Sequence, residues 1–186
     1  ELIDMDLFFK LQAEGLRNRP YDNGRSVSII TSRGCPYDCV FCSVHLHMGK
    51  PIRTYSVENV LGHIDKLVTN YGVEHLEFED DNLTFYKKRT EMLFNELAKR
   101  RYGISWDTPN GVRFDTLKRP LLEAMKESGC KGLVVAPESG DQETIQKIVK
   151  KSIKLDKMIP VAKWCKELSI PLRSFYLIGF PGETKE

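Results

Sequence analysis

The sequence predicts an α/β fold, specifically a partial (β/α) barrel of parallel strands that is truncated after the fifth strand. Short apolar stretches alternate five times with amphipathic helical stretches, and this alternation favours parallel strands joined by right-handed crossovers. Cysteine, charged residues or glycine follow every predicted strand. A site spread over many strand ends is typical of a barrel, whereas an open doubly wound sheet gathers its ligand contacts at one switch point.

Five stretches rich in β-branched, aromatic or other apolar residues are the predicted strands. They span residues 27–32, 74–80, 104–113, 132–138 and 171–180. In the third stretch, Pro109 is expected to end regular pairing early, because proline has no N–H to donate to a neighbouring strand.

Helical stretches lie between these strands. The first has Ser56 placed as N-cap and Gly72 just past its end, and its apolar residues fall at helical spacing: Val57, Val60, Leu61, Ile64, Leu67, Val68 and Tyr71. The second covers about 88–101. The third stops at Gly129 and carries Leu117, Leu121, Leu122 and Met125. Helical residues follow at 142–149 and 156–168.

Composition narrows the class of protein. The chain has 186 residues, 41% hydrophobic and 29% charged, with a formal net charge of +2; these are ordinary values for one soluble domain. We therefore expect neither a nucleic-acid partner nor a membrane partner. The basic runs 87–89 and 99–101 lie near the two ends of one predicted helix and are interpreted as a solvated face.

The two ends of the chain suggest a larger protein. The sequence begins at Glu1 without an initiator methionine and stops shortly after the fifth predicted strand. Residues 1–25 are interpreted as a linker from an upstream domain. Residues 26–186 form the predicted core domain, incomplete at its C-terminus.

Three cysteines, Cys35, Cys39 and Cys42, occur within eight residues in the stretch "RGCPYDCVFC". A total of five cysteines is not a disulfide framework, and the crowding favours metal binding in a reducing, cytoplasmic setting. A zinc site would need a fourth ligand, such as His45 or His47. A 4Fe-4S cluster bound by only three cysteines would instead keep one iron open for a substrate or cofactor.

The other two cysteines are predicted to pack in the core. Cys130 precedes a strand and Cys165 lies within a helix, where a free cysteine normally behaves as a small apolar residue. Neither is expected to supply the fourth ligand.

The Cys-x3-Cys-x2-Cys pattern, with Phe41 directly before the last cysteine, resembles the radical S-adenosylmethionine (radical SAM) enzymes. The resemblance covers about residues 26–186. It implies that the three cysteines bind a 4Fe-4S cluster and that the amino and carboxylate groups of SAM bind the fourth iron. It also implies reductive cleavage of SAM to methionine and a 5′-deoxyadenosyl radical, with an electron donor such as flavodoxin or ferredoxin.

The same resemblance assigns SAM contacts to the cysteine loop and to the stretch after the second strand. Phe41 corresponds to the residue whose backbone contacts the adenine. The stretch "FEDDN" (78–82) lies where the family binds the SAM amino group, and the contact stays open among Glu79, Asp80 and Asp81, since a Gly-Gly-Glu version is absent. A carboxylate suits an ammonium group at this position.

Later strand ends supply the remaining expected SAM contacts. Arg113, after the third strand, is the candidate fork for the SAM carboxylate, with an ordinary surface arginine as the alternative. In "PESG", Glu138 or Ser139 would reach the ribose or the amino-acid end, although Ser139 or Asp141 could also cap the next helix. In "FYLIGFPGET", Leu177 and Gly179 would flank the adenine.

Within this family the motifs most resemble the branch that carries a cobalamin-binding domain ahead of the radical SAM core. Cobalamin would then bind outside this chain, which has no Asp-x-His-x-x-Gly motif. The reaction would be methylation, ring formation or rearrangement of a small-molecule or peptide substrate that the sequence does not identify. A methylthiotransferase is the alternative enzyme, and a zinc-stabilised binding module is the alternative from another class.

Overall fold

The computed structural model describes residues 3–16 and 24–183. The strands are β1 (Ser26–Ile29), β2 (Ser32–Arg33), β3 (Arg53–Thr54), β4 (His75–Phe78), β5 (Ser105–Asp107), β6 (Cys130–Glu138) and β7 (Leu172–Tyr176). The α-helices are α1 (Met5–Leu11), α2 (Val44–His47), α3 (Val57–Tyr71), α4 (Lys87–Arg100), α5 (Arg119–Glu127) and α6 (Met158–Glu167). Short 3₁₀ or π-helical segments occupy Gln12–Leu16, Phe114–Thr116, Thr144–Ile148 and Leu155–Lys157.

The main sheet has five strands in the order β1-β4-β5-β6-β7, and every neighbouring pair is parallel. This spatial order follows the chain order without a reversal, as in a barrel and unlike a doubly wound sheet. Helices α3, α4, α5 and α6 connect successive strands, and each contacts the next. The predicted partial barrel is therefore confirmed.

The core lies between the strands and this layer of helices. Trp106 is fully buried at its centre, where it stacks on Phe94 at 4.4 Å between ring centroids and meets Phe78 edge-on at 5.3 Å. Its indole N–H donates to Ser128, so the polar atom of the buried ring is satisfied.

Side chains alternate along a strand, and the opposite face of the same strands carries polar residues, of which His75, Glu77 and Asp107 are buried. The Ser28 hydroxyl donates to Glu77 at 2.8 Å. His75 lies 2.8 Å from the Ser105 hydroxyl and 3.6 Å from an Asp107 carboxylate oxygen. The inner face of the partial barrel is thus polar, and the buried Asp107 Oδ1 accepts no hydrogen bond from the described residues.

Helix ends agree with the expected caps in part. Ser56 accepts a hydrogen bond from the Asn59 N–H at 3.2 Å, and Gly72 ends α3 with φ +62°. The third helix begins later than predicted, at Arg119, because Pro120 favours the first turn. Leu117 instead follows a 3₁₀ turn and packs in the core.

One of the two basic runs differs from its predicted character. Arg89 does not belong to a solvated face: its guanidinium donates to the backbone carbonyls of Thr31 and Tyr55 at 3.0 Å. In the segment predicted as a linker, residues 1–25, helix α1 packs its Phe9 into the core, while residues 1–2 and 17–23 lie outside the described part. None of the helices in the described ranges has the length and apolar character needed to cross a membrane.

Candidate cofactor site at the carboxyl ends of the strands

The three clustered cysteines lie on a loop that a small antiparallel hairpin closes. Ser32 and Arg33 of β2 pair with Thr54 and Arg53 of β3, and the Cys35 N–H donates to the Gly49 carbonyl at 3.2 Å. Gly34 has φ +96°, and a Cβ there would lie 2.4 Å from the Pro51 carbonyl oxygen. Only glycine therefore fits where the loop leaves the hairpin.

Asp80 fastens the start of this loop to β4. Its buried carboxylate accepts hydrogen bonds from the N–H and hydroxyl of Thr31, at 3.0 and 2.8 Å, and from the Ser32 hydroxyl at 2.5 Å. Burial raises the pKa of Asp80, and these hydrogen bonds oppose the rise. Asp80 was expected to contact SAM, but its carboxylate is engaged with Thr31 and Ser32 and does not border the cavity described next.

A cavity of about 500 Å³ opens at the carboxyl ends of the strands. All three cysteines border it, together with Tyr37, Phe41, Ser43, Val44, His47, Asp81, Asn82, Asn110, Gly111, Val112, Arg113, Ala136, Glu138 and Lys151. Asp81 borders the cavity and also holds the cysteine loop, since its carboxylate accepts a hydrogen bond from the Gly34 N–H at 2.9 Å. One volume is thus bounded by the cysteine loop and by the ends of successive strands.

The donor set fits an iron–sulfur cluster. Within residues 3–16 and 24–183, no three His, Cys, Asp or Glu side chains converge closely enough to hold a single metal ion. The three thiols instead border one cavity. Each cysteine of a cluster binds a different iron, so its ligands need not converge on one point, and thiolates are its usual ligands. Burial raises the pKa of the Cys39 thiol, so ligation there must displace a proton.

Arg113 borders the cavity with its fork already engaged. Its Nε and Nη2 donate to the two carboxylate oxygens of Asp115 at 3.1 and 2.8 Å, and Nη2 also donates to the Ser152 carbonyl. The guanidinium carbon lies 3.9 Å from the centroid of the Tyr37 ring, a cation–π contact. It is neither a free fork nor a surface arginine.

Glu138 and Lys151 form a buried ion pair on the cavity wall. The Lys151 ammonium donates to the Glu138 carboxylate at 2.7 Å and to the Ala136 carbonyl at 2.5 Å. Glu138 has φ +71°, a left-handed conformation that costs a non-glycine residue about 1–3 kcal/mol. The positive charge of Lys151 also favours the ionised form of Cys39 and so opposes the rise in its pKa that burial causes.

The remaining predicted SAM contacts lie around this cavity or beside it. The Phe41 ring is 6.1 Å from that of Phe180, which joins the cysteine loop to the "GFPGET" stretch. Leu177 donates its N–H to the Glu138 carbonyl, and the Gly179 N–H donates to the Glu183 carboxylate. Neither residue borders the cavity.

The capping role that the sequence left open between Ser139 and Asp141 belongs to Asp141. The Ser139 hydroxyl accepts from the Asp141 N–H at 3.1 Å, and the Asp141 carboxylate accepts from the Thr144 N–H at 2.6 Å. Asp141 therefore caps the helical segment that follows β6, and Ser139 accepts from the N–H of this capping residue. Ser139 is buried and does not border the cavity.

Sequence reasoning missed several residues of the cavity wall. Lys151 follows a helical segment rather than a strand, so no strand-end rule pointed to it. Asn82 belongs to the "FEDDN" stretch, but the resemblance places the SAM contact among the acidic residues of that stretch. Tyr37 and Asn110 carry no sequence signal of their own, because only folding brings them to the cysteine loop.

Comparison with known proteins agrees with this geometry. Residues 29–186 match the family model of the radical SAM superfamily. The chain belongs to the radical SAM superfamily. It is accordingly a radical SAM enzyme, and the family implies a 4Fe-4S cluster and SAM as cofactors.

Two of the similar curated proteins are named as methyltransferases. The cytidylyl-2-hydroxyethylphosphonate methyltransferase of Streptomyces wedmorensis is 31% identical over 96% of this chain and 33% of its own length. An uncharacterized methyltransferase of Pyrococcus horikoshii is 35% identical over 85% of this chain and 34% of its own length. The chain spans about a third of the length of these curated relatives.

A solved radical SAM structure shares the fold. The radical S-adenosylmethionine methyltransferase TsrM of Kitasatospora setae superposes with a TM-score of 0.76 at 19% identity, over 87% of this chain and 32% of its own. TsrM has been solved with cobalamin and a [4Fe-4S] cluster bound, and with tryptophan and a SAM analogue bound.

Proposed function

We propose that this chain forms the cofactor-binding core of a cobalamin-dependent radical SAM methyltransferase, with Cys35, Cys39 and Cys42 holding a 4Fe-4S cluster. The observation that carries the proposal is the cavity at the strand ends, which brings three thiols and charged groups of both signs to one place. When bound, the cluster and SAM supply the hard chemistry, one-electron cleavage of the sulfonium. The chain binds and orients them.

The charges on the cavity wall suit the amino-acid end of SAM, which is a zwitterion. Asp81 and Glu138 are the carboxylates available for its ammonium group, and Lys151 is the cation for its carboxylate. Lys151 and Glu138 satisfy each other at 2.7 Å. When SAM binds, its ammonium group would pair with Glu138 and its carboxylate with Lys151. These two contacts would replace the one between Glu138 and Lys151, so neither buried charge would lose its partner.

The aromatic side of the cavity suits the other end of SAM. Phe41 borders the cavity and its ring is half-exposed, at 45%, and it faces Phe180 of the fifth-strand stretch. We assign the adenine to this side, where apolar rings can exclude water from it. The cofactor would then extend from the cysteine loop towards β7.

The methyl-transfer part of the proposal rests on the relatives. Two curated relatives are named methyltransferases, and the structural neighbour TsrM has been solved with cobalamin bound. Cobalamin would bind in a domain ahead of this chain. An electron donor such as flavodoxin or ferredoxin would reduce the cluster.

Cluster assembly in the full-length protein tests the proposal. After anaerobic reconstitution we expect iron and sulfide in a 4:4 ratio to protein, as a 4Fe-4S cluster requires, with a matching Mössbauer spectrum. Replacing Cys39 with Ala should abolish assembly, since it leaves two of the three cysteines that border the cavity. The matched control Cys165→Ala should assemble normally, because that thiol is buried in the core. Stoichiometric zinc without iron would refute the proposal.

SAM affinity tests the assigned ligand pose. Lys151→Met should weaken SAM binding to the loaded protein by about one to two decades, the value of one charge-assisted hydrogen bond. The control is Lys150→Met, which changes the exposed neighbouring lysine. Equal affinity in the two variants would show that Lys151 does not hold the SAM carboxylate, even with the cluster confirmed.

A further inference from the structure

Asn82 contacts a cysteine ligand directly. Its amide Nδ2 lies 3.7 Å from the Cys35 sulfur, within hydrogen-bonding distance for sulfur. The side chain is 4% exposed and borders the cavity. It lies immediately after Asp81, whose carboxylate fixes the Gly34 N–H beside Cys35. The donor and the sulfur are therefore both positioned by the tight connection between β4 and the cysteine loop.

The other end of the same amide has no hydrogen-bond partner among the residues that the structure describes. Asn82 Oδ1 is buried and makes no hydrogen bond within the described ranges, which leaves its desolvation uncompensated. Turning the amide over would bring this oxygen towards the sulfur, which suits a thiol that has a proton to donate but repels a thiolate. The observed orientation, with N–H towards sulfur, is the one that a metal-bound cysteine requires.

We propose that Asn82 is a positioning residue that donates a hydrogen bond to the Cys35 thiolate and thereby raises the reduction potential of the cluster. The inference rests on the proposed function and deepens it. Hydrogen bonds to cluster sulfurs are a recognised determinant of the potential. The cluster becomes more negative when it gains one electron, so a donor at a ligand sulfur stabilises the reduced form more than the oxidised form.

A redox titration of the reconstituted full-length protein, followed by EPR, tests this role. Asn82→Leu keeps the side-chain size and removes the donor, and we expect the equilibrium constant for one-electron reduction to fall about tenfold, a shift of about 59 mV. Asn82→Asp should lower it at least as much, because it also brings a negative charge. The control Asn110→Leu changes an amide on the same cavity wall whose Nδ2 donates to the Glu79 carbonyl instead, and it should titrate like the wild type.

The outcomes separate the two proposals. If the wild type assembles no 4Fe-4S cluster, the proposed function fails. If it does, and both Asn82 variants keep the wild-type potential, or Asn110→Leu shifts it equally, the role of Asn82 is overturned. Should the variants fail to load, pulsed EPR of the wild type labelled with ¹⁵N-asparagine decides: a nitrogen coupling to the reduced cluster supports the contact, and its absence refutes it.

Discussion

Burial divides the five cysteines into two chemically different sets. Cys130 and Cys165 are 3% and 1% exposed, and burial raises the pKa of Cys130 to about 12 and that of Cys165 to about 11. The three loop cysteines are only partly buried. Because the thiolate is the reactive form, the two sets should differ in reactivity.

Alkylation at pH 8 checks this difference. The thiolate fraction of Cys130 would be on the order of one part in ten thousand, so iodoacetamide should leave Cys130 and Cys165 largely unmodified in the folded protein. Cys35 and Cys42 should react in the metal-free protein and be protected after cluster assembly. Mass spectrometry of the labelled peptides gives the readout, and denatured protein, in which all five react, is the control. Rapid labelling of Cys130 in folded protein would contradict the described core.

Asp80 illustrates how one side chain can serve the site without bordering it. Asp80→Ala would leave the Thr31 N–H without its acceptor, and an orphaned buried donor costs about 1–3 kcal/mol. We expect urea unfolding of the metal-free protein to show a loss of that size. The exposed Asp156 provides the control, since Asp156→Ala should change stability by less than about 0.5 kcal/mol. If the two variants unfold alike, the contacts of Asp80 with Thr31 and Ser32 contribute little to stability.

At the scale of elements, the hairpin β2–β3 sets the shape of the cysteine loop. The shape of the loop depends on Gly34. Its φ of +96° disfavours any side chain, and a Cβ there would lie 2.4 Å from the Pro51 carbonyl oxygen. Gly34→Ala should therefore destabilise the metal-free protein by about 1–3 kcal/mol and reduce iron uptake during reconstitution.

The control for this change lies in helix α3. A methyl group added at Gly62 would meet open space, with no atom within 4 Å, and the residue lies in the helix interior. Gly62→Ala should raise stability by about 1 kcal/mol, because alanine favours a helix over glycine, and should leave iron uptake unchanged. Equal iron uptake by the two variants would show that the loop tolerates a Cβ at position 34.

At the scale of the whole molecule, the exposed edge of the sheet is its weakest feature. Strand β7 is the last in the sheet order. Four large apolar or aromatic residues at its end and directly after it are exposed: Phe175, Tyr176, Leu177 and Ile178. Exposed apolar edges invite pairing with other chains. We expect the 186-residue chain by itself to self-associate as its concentration rises.

Sedimentation velocity measures this association. The double variant Tyr176→Lys with Ile178→Lys should reduce it, because lysine on an edge opposes strand pairing. Met92→Lys is the matched control on α4, where an exposed apolar residue lies away from the edge. Association that persists in the double variant would place the contact elsewhere on the surface.

The sequence by itself determined the order of the elements and the identity of the loop that holds the cysteines. Alternating strand and helix patterns predicted five parallel strands, because burial on both faces and amphipathic helix spacing leave a local signal. The cap residues Ser56 and Gly72 could also be predicted from the sequence, because helix capping depends on local backbone geometry. The cysteine loop could be predicted from the spacing of its three cysteines and from its place after the first strand.

Tertiary structure alone decided which polar side chains serve the cavity and which serve the fold. Asp80 and Asp81 are adjacent in sequence, yet one holds the segment that follows β1 and the other borders the cavity, because successive side chains point in different directions. Lys151 reaches the cavity by pairing with Glu138 across 13 positions of sequence, and Asn82 meets Cys35 across 47. Such contacts depend on how distant segments pack, and they cannot be predicted from the spacing of residues along the chain.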